Sequence, residues 1–136
     1  MSNKRDLRLK QYEISKKRYK ELCGFCEQYP EWIGELAFND GRPGSPVISD
    51  MLLAPHSNES KVEKIALRNY KLSKKVDVVQ KCAKKASEEF WQFIIWSVCY
   101  EFSVTALINI RGMALSKSEF YRKRRIFFYL LDKELD

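Results

Sequence analysis

A chain of 136 residues, 45% hydrophobic and 32% charged, can bury a core without disulfide staples and falls in the size range of one domain, or one domain with an appended helical piece. Its 25 Lys and Arg against 18 Asp and Glu give a net charge of +7, which suits a polyanionic partner, either nucleic acid or an anionic membrane surface. With one histidine, no glycine-rich phosphate loop and no convergent carboxylate cluster, little is left from which to build a catalytic centre, so the chain is read as a non-enzyme needing no cofactor.

The first twenty residues, MSNKRDLRLKQYEISKKRYK, start basic but lack the apolar core and small-residue cleavage site of a secretory signal. The longest apolar run, Phe90 to Phe102, is interrupted by Gln92, Ser97 and Glu101 and falls well short of the roughly 20 residues of a membrane span. A cytoplasmic protein with no membrane partner is therefore expected. Of the four cysteines, Cys23 and Cys26 form a CGFC motif, while Cys82 and Cys99 stand alone and His56 is the only histidine. A second CxxC or a histidine pair is missing, so the thiols are read as small buried hydrophobes and no metal site is expected.

Residues Asp6 to Tyr29 place Leu9, Tyr12, Tyr19, Leu22, Phe25 and Cys26 on one side of a first helix. It should stop before Pro30, because proline disfavours helical geometry in the preceding residue. A short second helix, Glu31 to Phe38, follows with Pro30 near its first turn. The stretch from Asn39 to Ser60 holds three of the four prolines and reads as a long linker. Ser57, Asn58 and Ser60 offer caps for a third helix whose apolar positions run from Val62 to Ala83 at three-and-four spacing. Lys64, Lys71, Lys74, Lys75, Lys81, Lys84 and Lys85 line its other side, a pattern that first of all describes a solvated face. Ser87, followed by Glu88 and Glu89, opens the buried segment Phe90 to Tyr100.

The expected class is therefore all-α, with an N-terminal helical hairpin over 1–38, a linker over 39–60 and a helical domain over 61–136. Ser103 can cap a short helix through Arg111, Gly112 to Leu115 make a turn, and Ser116 with Glu119 forms an S-x-x-E capping box at the start of the last helix. Phe120, Phe127, Leu131 and Leu135 form its inward stripe. Two helices joined by a short turn, the second opening with small polar and basic residues, describe a helix-turn-helix at about 103–135. Lys117, Ser118, Tyr121 and Arg122 are the expected base-facing residues, with Lys123, Arg124 and Arg125 nearer the DNA backbone. Residues 59–136 hold sixteen Lys or Arg against ten Asp or Glu, so the excess of positive charge lies in the half that carries this motif.

The stretch ALSKSEFYRKRRIFFYLL, with Met113, Ala114, Leu115 and Ser116 at the turn, resembles the end of the phage-encoded late transcription regulators of the RinA and ArpU type, which are similar to region 4 of sigma factors. ELCGFCEQYPEWIGEL and SKVEKIALRNYKL resemble, more weakly, that family's N-terminal helices and the helix after its linker. Ala114 stands where the family usually has glycine, and Asn109 where an aliphatic residue is common. The resemblance implies sequence-specific binding of double-stranded DNA in a phage or prophage, inside the bacterial host cytoplasm, and activation of late genes with RNA polymerase as a further partner. The N-terminal hairpin, Asp6 to Phe38, is expected to be a separable module that does not read DNA and docks either a partner subunit, giving a homodimer, or another protein. The alternative is a phage-derived module that keeps the same fold but acts on a host or phage protein, as an inhibitor or anti-defence factor.

Overall fold

Glu13 has a left-handed backbone (φ 62°), and two residues later the Ser15 hydroxyl accepts the Arg18 N–H at 3.1 Å. That side-chain cap satisfies one of the orphan amides of a helix start and opens α1, Lys16–Glu27. The computed structural model describes residues 12–39 and 55–136, with side chains described from 12 to 39 and from 61 onward. The expected start at Asp6 lies outside the described residues, and Tyr12 to Ser15 are not helical.

Gln28 is the C-cap of α1, and α2, Tyr29–Asn39, begins at the next residue with Pro30 in its first turn, where a missing N–H costs nothing. The expected linker residues 40–54 lie outside the described residues. Residues 55–60 are helical, which corrects both the linker's end and the expected caps. α3 runs Pro55–Ala86, opened by a proline whose fixed φ suits the first helical position, so Ser57, Asn58 and Ser60 lie within the helix. α4 is Trp91–Cys99, α5 Val104–Asn109 and α6 Lys117–Leu135. The fold is all-α; among the described residues there is no strand and no helix long and apolar enough to cross a membrane.

These helices form two compact units, one of residues Tyr29–Asp77 and the other of Met1–Gln28 with Val78–Asp136. In the first, Tyr29 and Trp32 of α2 and Leu72 and Val76 of α3 are buried. Lys75 lies over the Trp32 ring at 5.5 Å, and Arg68 grips Glu35 through two hydrogen bonds of 2.8 and 3.3 Å. Both partners of that pair are largely exposed, so it orients α2 and α3 more than it stabilises them.

In the second unit α1 packs against α4 and α6, and α4 against α5 and α6. This grouping differs from the expected division into 1–38 and 61–136. Leu22 and Cys26 of α1 are wholly buried, and Tyr19 meets the Phe128 ring edge-on at 5.0 Å. The first helix thus supplies core to the last instead of pairing only with its neighbour. Phe120, Phe127, Phe128 and Leu131 of α6, Ile94 of α4, Leu107 of α5 and Val79 of α3 are each 1% exposed or less. Burying each large side chain is worth about 1.5–3 kcal/mol.

Candidate nucleic-acid interface

The site is built on two cap structures. Ser103 accepts the Ala106 N–H at 3.1 Å and starts α5, whose Val104 and Leu107 are buried. The helix stops at Asn109, two residues before the expected end at Arg111. Gly112 takes a left-handed conformation (φ 69°), and the Met113 N–H returns to the Leu107 carbonyl at 2.9 Å. Glycine reaches this conformation without the Cβ penalty. Met113, only 3% exposed, then plugs the turn from below.

Ser116 starts α6 by accepting the Glu119 N–H at 3.3 Å, with the Ser118 hydroxyl 3.5 Å away. Only this half of the expected capping box is made among the described residues. The cap still fixes where the helix begins and leaves its first turn outward: Lys117, Ser118, Glu119 and Arg122 are exposed. At about 100° per residue, Tyr121, Arg125, Ser118 and Arg122 fall within an arc of about 100°, opposite Phe127 and Leu131. Tyr121 and Arg125 within this arc are half-buried, and Lys123, also half-buried, falls about 100° beyond Arg122, toward Phe127 and outside the arc.

Arg124 departs from the expectation that it approaches a DNA backbone. It lies one and two turns before Phe128 and Leu131 on the buried side, over the rings of Phe128 and Tyr121 at 5.6 and 5.9 Å. Its Nη2 donates to the Tyr19 hydroxyl at 3.3 Å, while its Nε is buried without a hydrogen-bond partner. A guanidinium stacked on aromatic faces gains roughly 0.5–2 kcal/mol per contact, so this cation holds α6 to α1.

One exposed cation escaped the sequence reading. Arg111, just past α5, lies over Trp96 and Phe102 at 4.8 and 5.2 Å, which fixes a positive charge beside the turn. Two aromatic residues spaced around a helix end upstream were the available signal. Next to it Ile110 is 79% exposed. The lysines of α3 within this unit are partly engaged: Lys81 pairs with Glu134 at 2.8 Å and Lys84 lies 4.7 Å over the Trp91 ring.

Cys26, Cys82 and Cys99 are buried and Cys23 is half-buried. Cys26 pairs with Cys99, and this hydrogen bond, followed by burial, pushes its thiol far above the usual range. Burial likewise raises Cys23 and Cys82, the latter to about 11. All four are free. Among the described residues no group of three His, Cys, Asp or Glu side chains is arranged to hold a metal ion. No family model, curated protein or solved structure matches the chain.

Proposed function

We propose that this chain is a transcription regulator that binds double-stranded DNA, with α5, the Gly112–Leu115 turn and α6 as a helix-turn-helix and α6 as its recognition helix. The observation that carries this reading is the start of α6: one serine cap fixes it, an aromatic stripe anchors its inner side, and Lys117, Ser118 and Arg122 stand exposed on its first turns. Such a helix, laid in a major groove, brings its N-terminal side chains to base edges. Arg111 and Lys123 supply further positive charge for phosphates, and Arg125 lies within the base-facing arc.

The resemblance to phage late regulators adds the finer reading: a prophage or phage operator, activation through RNA polymerase, and two copies on paired half-sites in the host cytoplasm. Selection from a random duplex library tests it, since the full-length protein enriches one short motif and Arg122→Ala relaxes the preference at a single position. Ile110, the most exposed of the large apolar side chains among the described residues, favours the second reading, a module that docks a host or phage protein. Under that reading no motif is enriched, and Ile110→Asp abolishes partner binding.

A further inference from the structure

Below the proposed recognition helix lies a cavity of about 260 Å³, with Cys23 and Glu27 of α1, Glu101 and Ser103 of the α4–α5 turn, and Tyr121 and Arg124 of α6 among its walls. It is just below the roughly 300–1,000 Å³ of sites for drug-sized ligands. At the ~30 Å³ that a water molecule occupies in the liquid, it has room for about nine.

The charges around it are not paired with one another. Arg124 makes one hydrogen bond, to Tyr19, from a group with five donors; its Nε, buried without a partner, is closed off from solvent and is not among the atoms a ligand in the cleft could reach. Among the described residues, Glu27 and Glu101 form no ion pair, with Arg124 or with any other cation. A half-buried guanidinium facing a cleft with no carboxylate on it is unusual, because burying charge is costly unless it is paired.

Glu101 adds an independent observation. The chain leaves α4 as it leaves α5, through a left-handed residue followed by an N–H that returns to the helix: Phe102 to the Trp96 carbonyl at 3.1 Å, Met113 to Leu107 at 2.9 Å. The second exit uses Gly112, but the first uses Glu101, at φ 59°, where a side chain is strained. Glycine would satisfy the backbone better, so the carboxylate is what distinguishes the residue placed there.

We propose that this cavity binds a small zwitterion of amino-acid size, its carboxylate on Arg124 and its ammonium group between Glu27 and Glu101. A simple anion would meet two carboxylates, and a simple cation would meet the guanidinium; a ligand with both charges meets neither penalty. Tyr121 belongs both to this wall and to the outward arc of α6, so occupancy also alters DNA affinity. That consequence rests on the proposed DNA-binding function, whereas binding of the zwitterion does not.

Thermal unfolding of the full-length protein with each of the twenty free L-amino acids in turn, and with acetate and methylammonium as single-charge controls, tests the site. One amino acid, or a few of similar shape, should raise the midpoint through preferential binding to the folded state, and neither control should match it. Glu27→Gln and Glu101→Gly alter exposed residues and keep the fold; each should weaken calorimetric affinity for that amino acid about tenfold. The proposal is overturned if no amino acid raises the midpoint, if acetate alone does so equally, or if both variants bind like the parent. DNA affinity is then measured with and without the bound amino acid: a change supports the regulatory role, and no change removes it.

Discussion

Arg18 in α1 donates from its Nε to the Asp132 carboxylate in α6 at 2.6 Å, across 114 positions of sequence. This hydrogen bond is the main reason the Arg18 guanidinium holds its proton more tightly than usual. With Leu22 and Cys26 wholly buried, it makes α1 part of the body that carries α6. Removing residues 1–28 should therefore leave a fragment without a cooperative thermal transition, and Leu22→Ala should cost about 2–5 kcal/mol in denaturant unfolding. A truncated fragment that melts cooperatively like the parent would show that α1 is dispensable.

Alkaline stability follows from the thiols. Cys82 is raised from 9.0 to about 11, and Cys26 is raised further by Cys99 and burial. An acid whose folded pKa lies above its unfolded one is ionised first in the unfolded chain, so its contribution is complete below about pH 9 and is lost as pH climbs through 11. Denaturant unfolding should show stability falling from pH 8 to 11, and Cys82→Ala, at a fixed cost in packing, should make that fall shallower. A slope unchanged by the substitution would assign it to other groups.

Two glycines should respond in opposite directions to alanine. Gly24 lies inside α1 and Gly112 at a φ of 69°, and a Cβ at either would have nothing within 4 Å. Sterics being equal, only backbone conformation differs. Gly24→Ala should stabilise by about 0.5–1 kcal/mol, and Gly112→Ala should destabilise by about 1–2 kcal/mol. Calorimetric midpoints that move in the same direction would contradict the assigned geometry of the turn.

Neighbouring arginines should separate stability from DNA binding. Arg124→Ala loses two ring contacts and the bond to Tyr19, and is expected to lower stability by about 1–3 kcal/mol. Arg122→Ala should melt like the parent yet lose about 1–3 kcal/mol on the preferred duplex and far less on random DNA. The assignment fails if the two variants exchange these phenotypes.

Local signals carried much of the fold. Ser103, Ser116 and Pro30 act at helix starts through bonds or dihedrals spanning a few residues, and their effects are legible from spacing alone. Arg124 was not legible in that way, because in RKRR the cations read as one surface. Its spacing to Phe128 and Leu131 placed it inward, and the partner that makes this tolerable, Tyr19, lies 105 residues away. The pairing of α1 with α6 was hidden for the same reason: an apolar stripe says that a face is buried, not which helix covers it. At Pro55 the polar residues Ser57, Asn58 and Ser60 imitated caps, although a proline alone can open a helix.

The salt dependence of DNA binding tests the central claim most directly. Fluorescence anisotropy on a selected duplex, from about 50 to 200 mM salt, should give a log–log slope of several units, since each phosphate neutralised contributes about −0.9. Lys117→Ala with Arg122→Ala should make that slope shallower and weaken binding, with thermal stability unchanged. Duplex binding that is absent at 50 mM salt, or that persists with the same slope in the double variant, would contradict α6 as the DNA-reading helix.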